Sequence, residues 1–136
     1  CALQRQAQCK PAMKQLHIIV VVVGALLSSS CTTQPVSYRN DVVPIIESRC
    51  SKCHTPPDGV GYTATGLSMV SYDALMSGTF YGPVVVAGDS RRSIFNMLVE
   101  GRAGKMQRMP HQEEQGLSDA QIETLKNWVN EGALDN

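Results

Sequence analysis

The sequence predicts one small helical domain, and three kinds of signal support this prediction. Apolar residues recur at helical spacing in segments that follow a capping residue and end near a glycine. Stretches rich in glycine and proline separate these segments, as expected of loops between short helices. Only the valines at 84–86 have the character of a β-strand, and three residues make a weak strand. The chain has 136 residues, which is enough for one domain.

The first predicted helix begins near Asn40 or Asp41, because either side chain can cap a helix N-terminus. Pro44 falls in its first turn, where proline is tolerated. The helix continues to Arg49 and is followed directly by a cysteine. Its apolar residues are Val42, Val43, Ile45 and Ile46.

Two shorter helices are predicted in the middle of the chain, after a breaker-rich loop at 55–61. The first of them follows Ser71, a suitable cap, and stops before Gly78. The second covers about 91–100 and is capped by the pair at 89–90. Its expected apolar face consists of Ile94, Met97 and Leu98.

The last predicted helix has a capping box at its start. Ser118 and Gln121 have the required spacing, so each side chain can accept a hydrogen bond from a backbone N–H of the other residue. Gly132 ends the helix. Four apolar residues repeat at helical spacing: Ile122, Leu125, Trp128 and Val129. We expect Trp128 in the core, with a contact from its N–H to a bound cofactor as the alternative.

The N-terminal part of the chain resembles an export signal. Met13 and Lys14 open a segment that continues with an apolar stretch over 18–27, too short to span a bilayer, and ends in three serines. This pattern predicts a signal peptide over 13–30. Residues 1–12 precede Met13 and have no apolar period, so we expect them to be a non-native upstream extension.

Cys31 directly follows the predicted cleavage site, as the lipid-bearing cysteine of a bacterial lipoprotein does. Leu27 stands four residues before it, whereas three is usual, so soluble export and an uncleaved anchor are alternatives. Residues 31–37 would form a tether with a reach of about 20 Å. We expect a lipid on Cys31 to hold the domain over 38–136 at a bacterial membrane, on the periplasmic side.

The net charge of the chain limits the kinds of partner that it can attract. The whole chain has 12 basic and 12 acidic residues, but three basic residues and no acidic residue precede Cys31. The chain from Cys31 onward therefore has nine basic and 12 acidic residues, a net charge of −3. This charge argues against binding to nucleic acid, and against attraction to an anionic membrane by charge.

Cys50-Ser51-Lys52-Cys53-His54 carries the strongest chemical signal in the chain. Its C-x-x-C-H spacing is that of covalent haem attachment. Two thiols three positions apart can add to the two vinyl groups of one haem, and the histidine that follows can ligate the iron. A zinc site is one alternative, but it needs two further Cys or His ligands. A thioredoxin-like dithiol is another, but it requires a βαβ setting.

A haem iron with one histidine ligand needs a second ligand or stays open to small molecules. Met109 is the preferred candidate, because it lies in a loop and Pro110 stiffens the backbone beside it. His111, Met106 and an open site are the alternatives. Ligation by one His and one Met raises the reduction potential of a haem above that given by two His ligands. The remaining methionines after the motif are expected in the apolar core: Met69, Met76 and Met97.

From about Tyr38 to Asp135 the chain resembles the class I c-type cytochromes, and among them a bacterial branch common as modules in planctomycete proteins. The C-x-x-C-H motif and Met109-Pro110 are the specific parts of this resemblance. Supporting segments lie at 43–46, 82–89, 93, 117–119, 128–129 and 131–133. The branch more often has Met-Pro-Pro, which keeps His111 open as the sixth ligand. The resemblance implies an all-α cytochrome c fold, with four or five short helices around one covalently bound haem c. It implies that the haem is held by Cys50, Cys53, His54 and Met109.

The motif, the sixth ligand and the resemblance together predict an electron carrier rather than an enzyme. It would exchange electrons with redox partner proteins, be tethered to a membrane by its N-terminal lipid, and act on no small-molecule substrate. A haem sensor or small peroxidase-like protein with an open sixth site is the alternative. A zinc- or thiol-based binding module is the third hypothesis.

Basic residues gather in the sequence before the predicted sixth ligand. They could form a docking face or pair with a haem propionate, but a solvated surface is the favoured interpretation. These residues are Arg91, Arg92, Arg102, Lys105 and Arg108.

Overall fold

The computed structural model describes residues 34–111 and 116–136. These residues form five α-helices, one π-helical segment and one 3-10 segment, with no β-strand among them. The helical domain predicted from the sequence is confirmed to this extent. Both predicted N-terminal segments, 1–12 and 13–30, and Cys31 lie outside the described residues. The helices are α1 (Val43–Arg49), α2 (Val60–Thr65), α3 (Tyr72–Ser77), α4 (Ile94–Val99) and α5 (Asp119–Asn130).

Helical structure begins before α1, with the π-helical segment Tyr38–Val42. Ser37 is its cap, because the Ser37 hydroxyl accepts from the backbone N–H of Asn40 at 3.2 Å. In return, the Asp41 carboxylate accepts from the backbone N–H of Ser37 at 2.8 Å. The prediction of Asn40 or Asp41 as the cap is therefore wrong. Asp41 stabilises the start of the helix from inside its first turn instead.

The core lies where the start of the described chain packs against α5. The Tyr38 ring lies 5.3 Å from the Trp128 ring and meets the Tyr72 ring edge-on at 5.2 Å. Trp128 is buried and its indole N–H donates to the Leu134 carbonyl, so it is the core residue that was predicted. The other buried apolar residues include Val42, Ile45, Ile46, Leu67, Met69, Leu75, Val84, Val85, Phe95, Val99, Leu117, Leu125 and Val129.

The predicted ends of α3 and α5 are confirmed. The Ser71 hydroxyl accepts from the backbone N–H of Ala74, and Gly78 follows the end of α3. Ser118 and Gln121 form the capping box of α5. The side chains that α5 buries are Leu125, Trp128 and Val129. None of the described helices is both long and apolar enough to cross a membrane.

α4 differs from its prediction in start and in buried face. It begins at Ile94, with Ser93 as its N-cap residue, because the Asp89 carboxylate accepts from the backbone N–H of Arg92 in a preceding turn. The Ser93 hydroxyl accepts from the Val86 N–H at 2.8 Å, which ties α4 to the valine segment. Ile94 is 48% exposed, so the expected apolar face is wrong. The buried residues of α4 are Phe95, Asn96 and Val99.

Candidate functional site

The C-x-x-C-H motif folds into a turn at the end of α1. The Cys50 carbonyl accepts two backbone hydrogen bonds, from Cys53 at 3.0 Å and from His54 at 3.1 Å. No disulfide joins the two thiols, and both cysteines are partly exposed. The His54 side chain is buried, at 7% exposure. One turn therefore holds two partly exposed cysteines and a buried imidazole.

The His54 imidazole is oriented by the Leu67 carbonyl. Its Nδ1 lies 3.3 Å from the Leu67 oxygen, which requires a proton on Nδ1 for a hydrogen bond. The Met69 backbone N–H donates to the His54 carbonyl at 2.9 Å, so residues 67–69 hold both ring and backbone. A neutral ring that donates from Nδ1 keeps the lone pair of Nε2 for a metal.

Burial keeps this ring neutral. The pKa of His54 lies below its ordinary value mainly because burial disfavours the imidazolium. The Leu67 carbonyl acts in the opposite direction, and the charge of His111 lowers the pKa further. The neutral form is the one that ligates iron.

α2, which the sequence analysis did not predict, lies directly against the imidazole. A Cβ on Gly61 would stand 2.6 Å from His54 Cε1 and 2.8 Å from Nε2, so only glycine fits without movement. The backbone N–H groups of Gly61 and Tyr62 both donate to the Cys53 carbonyl, which fastens α2 to the motif. A Cβ on Gly59 would stand 2.5 Å from that same carbonyl oxygen. The two glycines allow the backbone to pack directly on the turn.

Of the three candidates for the sixth ligand, Met109 alone packs against the buried core. Its backbone N–H donates to the Leu98 carbonyl at 3.1 Å, which anchors the loop to the end of α4. Met106 lies on the 3-10 segment Lys105–Gln107 and is 85% exposed. His111 is exposed as well. The approach of the Met109 sulfur to the iron position stays a prediction.

The residue before Cys50 and the residue before Met109 both contact Gly116. Arg49 comes directly before Cys50, and its guanidinium donates to the Gly116 carbonyl. Arg108 comes directly before Met109, and a Cβ on Gly116 would stand 2.9 Å from its Cζ atom. Both arginines line a cavity of about 460 Å³. The fold thus brings the flank of the motif and the flank of Met109 together.

The basic residues of the predicted cluster do not act as one group. Arg102 donates to the carbonyls of Ser90 and Arg91, and its guanidinium also pairs with the Glu100 carboxylate. Arg102 therefore stabilises the turn before α4. Arg108 lines the cavity, whereas the side chains of Arg91, Arg92 and Lys105 are exposed.

The donor set fits a covalently attached haem. The two partly exposed cysteines can form thioethers, and the neutral imidazole can ligate iron. Because Gly61 has no side chain, the α2 backbone packs directly against the imidazole. Within residues 34–111 and 116–136, no three His, Cys, Asp or Glu side chains are grouped so that they could hold a metal ion by themselves.

Sequence reasoning predicted Cys50, Cys53, His54 and Met109 as ligands, which stays a prediction, and it missed the residues that contact the motif. Gly61 and the Leu67 carbonyl orient His54, and Arg49 joins the motif to Gly116. The Gly59-Val60-Gly61 sequence was a usable signal, because closely spaced glycines mark close backbone approach. The Leu67 carbonyl left no signal, since every residue has one.

The comparisons with known proteins returned nothing similar. The chain matches no family model, no curated protein and no solved structure. The functional assignment therefore rests on the turn, the buried imidazole and the Met109 loop.

Proposed function

We propose that the protein is a mono-haem c-type cytochrome that carries electrons between redox partner proteins. The observation that carries the proposal is the turn that holds two partly exposed cysteines, Cys50 and Cys53, and the buried imidazole of His54, whose pKa is lowered. A haem bound there supplies a one-electron iron couple. The proposed fold is the cytochrome c fold, in which the described helices surround that single haem.

Each residue of the turn has a defined task in this proposal. Cys50 and Cys53 would hold a haem by thioethers, each formed by addition of a thiol S–H across one vinyl group, with sulfur on one carbon and hydrogen on the other. His54 would ligate the iron through Nε2, while the Leu67 carbonyl accepts from its Nδ1–H. Gly61 lets the α2 backbone shield the ring from water. These residues bind and orient, and none of them does bond chemistry on a substrate.

Met109 is the proposed sixth ligand. Its anchoring to Leu98 and its packing against the core support it over Met106, which is exposed. His111 is the alternative, because it follows Met109-Pro110 directly in the sequence and its charge contributes to the lowered pKa of His54. A thioether ligand favours ferrous iron and raises the reduction potential. Six-coordinate iron of this kind transfers electrons without binding a substrate.

We further propose that Cys31 carries a lipid and that the domain works at the periplasmic side of a bacterial membrane. The proposal rests on the export-like segment at 13–30 and on the position of Cys31 directly after it. A tether over 31–37 would keep the haem close to the membrane surface.

The test is expression of the full chain with the c-type haem maturation machinery, followed by optical spectra. We expect haem that stays attached after denaturation, and a Met–iron charge-transfer band in the oxidised protein. Met109→Ala should abolish this band. The matched control is Met106→Ala, which removes an exposed methionine from the same loop and should leave the band intact.

Three results would count against the proposal. A protein without covalent haem would refute the cytochrome assignment altogether. A high-spin spectrum in the wild type would favour the haem sensor or peroxidase-like alternative. A band that survives in Met109→Ala but is lost in His111→Ala would leave the electron carrier in place and assign the sixth ligand to His111.

A further inference from the structure

The C-terminal end of α4 is a Schellman motif. The Gly101 N–H donates to the Leu98 carbonyl at 3.1 Å, and the Arg102 N–H donates to the Met97 carbonyl at 2.9 Å. Gly101 has φ +72°, the left-handed conformation that this motif requires and that glycine adopts readily. The motif turns the chain sharply away from the helix axis.

The Leu98 carbonyl also holds Met109. It accepts from the Met109 N–H at 3.1 Å, in addition to the bond from Gly101. Residues 102–108 therefore form a loop that leaves α4 and returns to its last turn. One backbone hydrogen bond contributes little net stability, so a loop of this length needs a further contact to stay closed.

The Arg108 side chain supplies such a contact. A Cβ on Gly101 would stand 3.3 Å from Arg108 Cδ and 3.5 Å from its Cγ, so the stem of the arginine lies close to the Gly101 backbone. Arg108 directly precedes Met109 and is half-buried, whereas Lys105 of the same loop is exposed. A long basic side chain can stabilise through the packing of its carbon stem, independently of its charge.

We propose that Arg108 is a positioning residue, and that its side-chain stem holds Met109 at the end of α4. The packing of the stem on Gly101, and not the guanidinium charge, keeps the loop closed. This part of the proposal requires no haem. Its consequence rests on the proposed function: while the Met109 N–H stays bonded to Leu98, the thioether stays available as the sixth ligand and resists displacement by other ligands.

The first experiment measures hydrogen exchange of the Met109 N–H in the haem-free full chain. Arg108→Ala removes the stem, and we expect exchange about tenfold faster than in the wild type, as the loss of two packed methylene groups implies. Arg108→Lys keeps the γ and δ carbons and the charge, whereas Arg108→Gln keeps these carbons without the charge. Both should stay within about threefold of the wild type.

Two controls accompany these variants. Lys105→Ala removes a basic side chain from an exposed position of the same loop and should leave the Met109 exchange rate unchanged. The Ala133 N–H, which donates to the Trp128 carbonyl at 2.9 Å in the core, is the reference amide. We expect its exchange rate to be equal in all variants, because the loop opens without unfolding the core.

The second experiment uses the haem-loaded protein, with imidazole as a competing ligand for ferric iron. Loss of the Met–iron charge-transfer band reports displacement of Met109. We expect Arg108→Ala to bind imidazole about tenfold more tightly than the wild type, because a looser loop leaves the sixth position free more often. Arg108→Lys, Arg108→Gln and Lys105→Ala should bind it as the wild type does.

Three results would overturn the proposal. The first is a Met109 exchange rate in Arg108→Ala that is unchanged, or that rises together with that of Ala133. The second is fast exchange in Arg108→Gln but not in Arg108→Lys, which would assign the effect to the charge. The third is equal imidazole affinity in Arg108→Ala and the wild type. A protein that binds no haem refutes the proposed function instead, and the exchange rates then decide by themselves whether Arg108 holds Met109 against α4.

Discussion

His54 is buried as a neutral base, and this makes its protonation part of the folding equilibrium. Burial, the largest influence, lowers the pKa in the folded state, whereas the unfolded chain exposes an ordinary imidazole. Below the ordinary pKa the unfolded state therefore binds more protons than the folded state. The same burial that favours the neutral form of the ring makes the protein without haem sensitive to acid.

We predict that the haem-free protein loses stability as pH falls below about 6.5, the ordinary pKa of histidine. The stabilising contribution is fully present above that pH and is lost as pH falls through the lower folded-state pKa. Urea denaturation between pH 5.5 and 7.5 measures it. His54→Gln should flatten the slope in this window, whereas His111→Gln should keep most of it. An unchanged slope in His54→Gln would contradict the prediction.

Asn96 presents the opposite case, a buried polar side chain without a partner. It is 0% exposed, and neither its amide nitrogen nor its amide oxygen has a hydrogen-bond partner among the described residues. We predict that Asn96→Leu stabilises the haem-free protein by about 1–2 kcal/mol, because leucine of similar size needs no hydrogen bond. Chemical denaturation is the measurement.

The matched control is Ser93→Ala, at a buried position three residues before Asn96. The Ser93 hydroxyl is also fully buried, but it bonds the Val86 N–H and the Asp89 carbonyl. This substitution should cost about 1–2 kcal/mol, the opposite sign. A loss of stability in Asn96→Leu would mean that the amide has a partner in solution.

At the scale of elements, α2 shows how a helix can pack against the candidate site and yet be hard to predict. It buries none of its residues, so its sequence has no apolar period to detect. Its position depends on contacts with the C-x-x-C-H turn, through the Cys53 carbonyl and the His54 ring. α5 is the contrasting case, since its cap and its apolar repeat both lie within its own sequence.

Gly61→Ala tests the contact between α2 and His54. Alanine favours a helix by about 1 kcal/mol over glycine, so an isolated helix would gain stability. The added Cβ would stand 2.6 Å from His54 Cε1, and we expect a net loss of about 1–3 kcal/mol in urea denaturation. Ala64→Ser, at an exposed position of α2, should change stability by less than about 0.5 kcal/mol. A Gly61→Ala variant as stable as the wild type would show that the ring moves without cost.

At the scale of the whole molecule, the two ends of the described chain are joined to each other. The Val36 N–H donates to the Glu131 carboxylate at 2.7 Å, and the Tyr38 N–H donates to the Asn136 side chain at 2.7 Å. Beneath these bonds the Tyr38 and Trp128 rings are in contact. The folding of α1 and that of α5 are therefore coupled, and the C-x-x-C-H motif follows α1 directly.

We predict that Trp128→Ala destabilises the whole domain by about 3–5 kcal/mol, through lost packing in the core. Trp128→Phe keeps an aromatic ring but loses the hydrogen bond to the Leu134 carbonyl, and should cost less. Tyr81→Ala removes an aromatic side chain that is 89% exposed and should have little effect. The measurement is urea denaturation. Equal costs for Trp128→Ala and Tyr81→Ala would show that this ring contact does not hold the domain together.

The sequence by itself determined what depends on neighbours along the chain. The caps of α3 and α5 were predictable because their hydrogen bonds join residues three positions apart. The spacing of Cys50, Cys53 and His54 predicts a haem attachment site from neighbouring residues alone, because all five residues of the motif form one turn.

Only the tertiary structure decided what depends on segments that meet through space. It showed that α4 buries Asn96 and not Ile94, that Gly61 lies on the His54 ring, and that Gly116 brings Arg49 and Arg108 together. No local pattern shows which face of α4 is buried or that Arg49 meets Gly116, and the Gly59-Val60-Gly61 sequence indicates a close approach without showing that its partner is the His54 ring. The physical reason is that burial and close approach are properties of packed surfaces, whereas caps and spacings are properties of the chain itself.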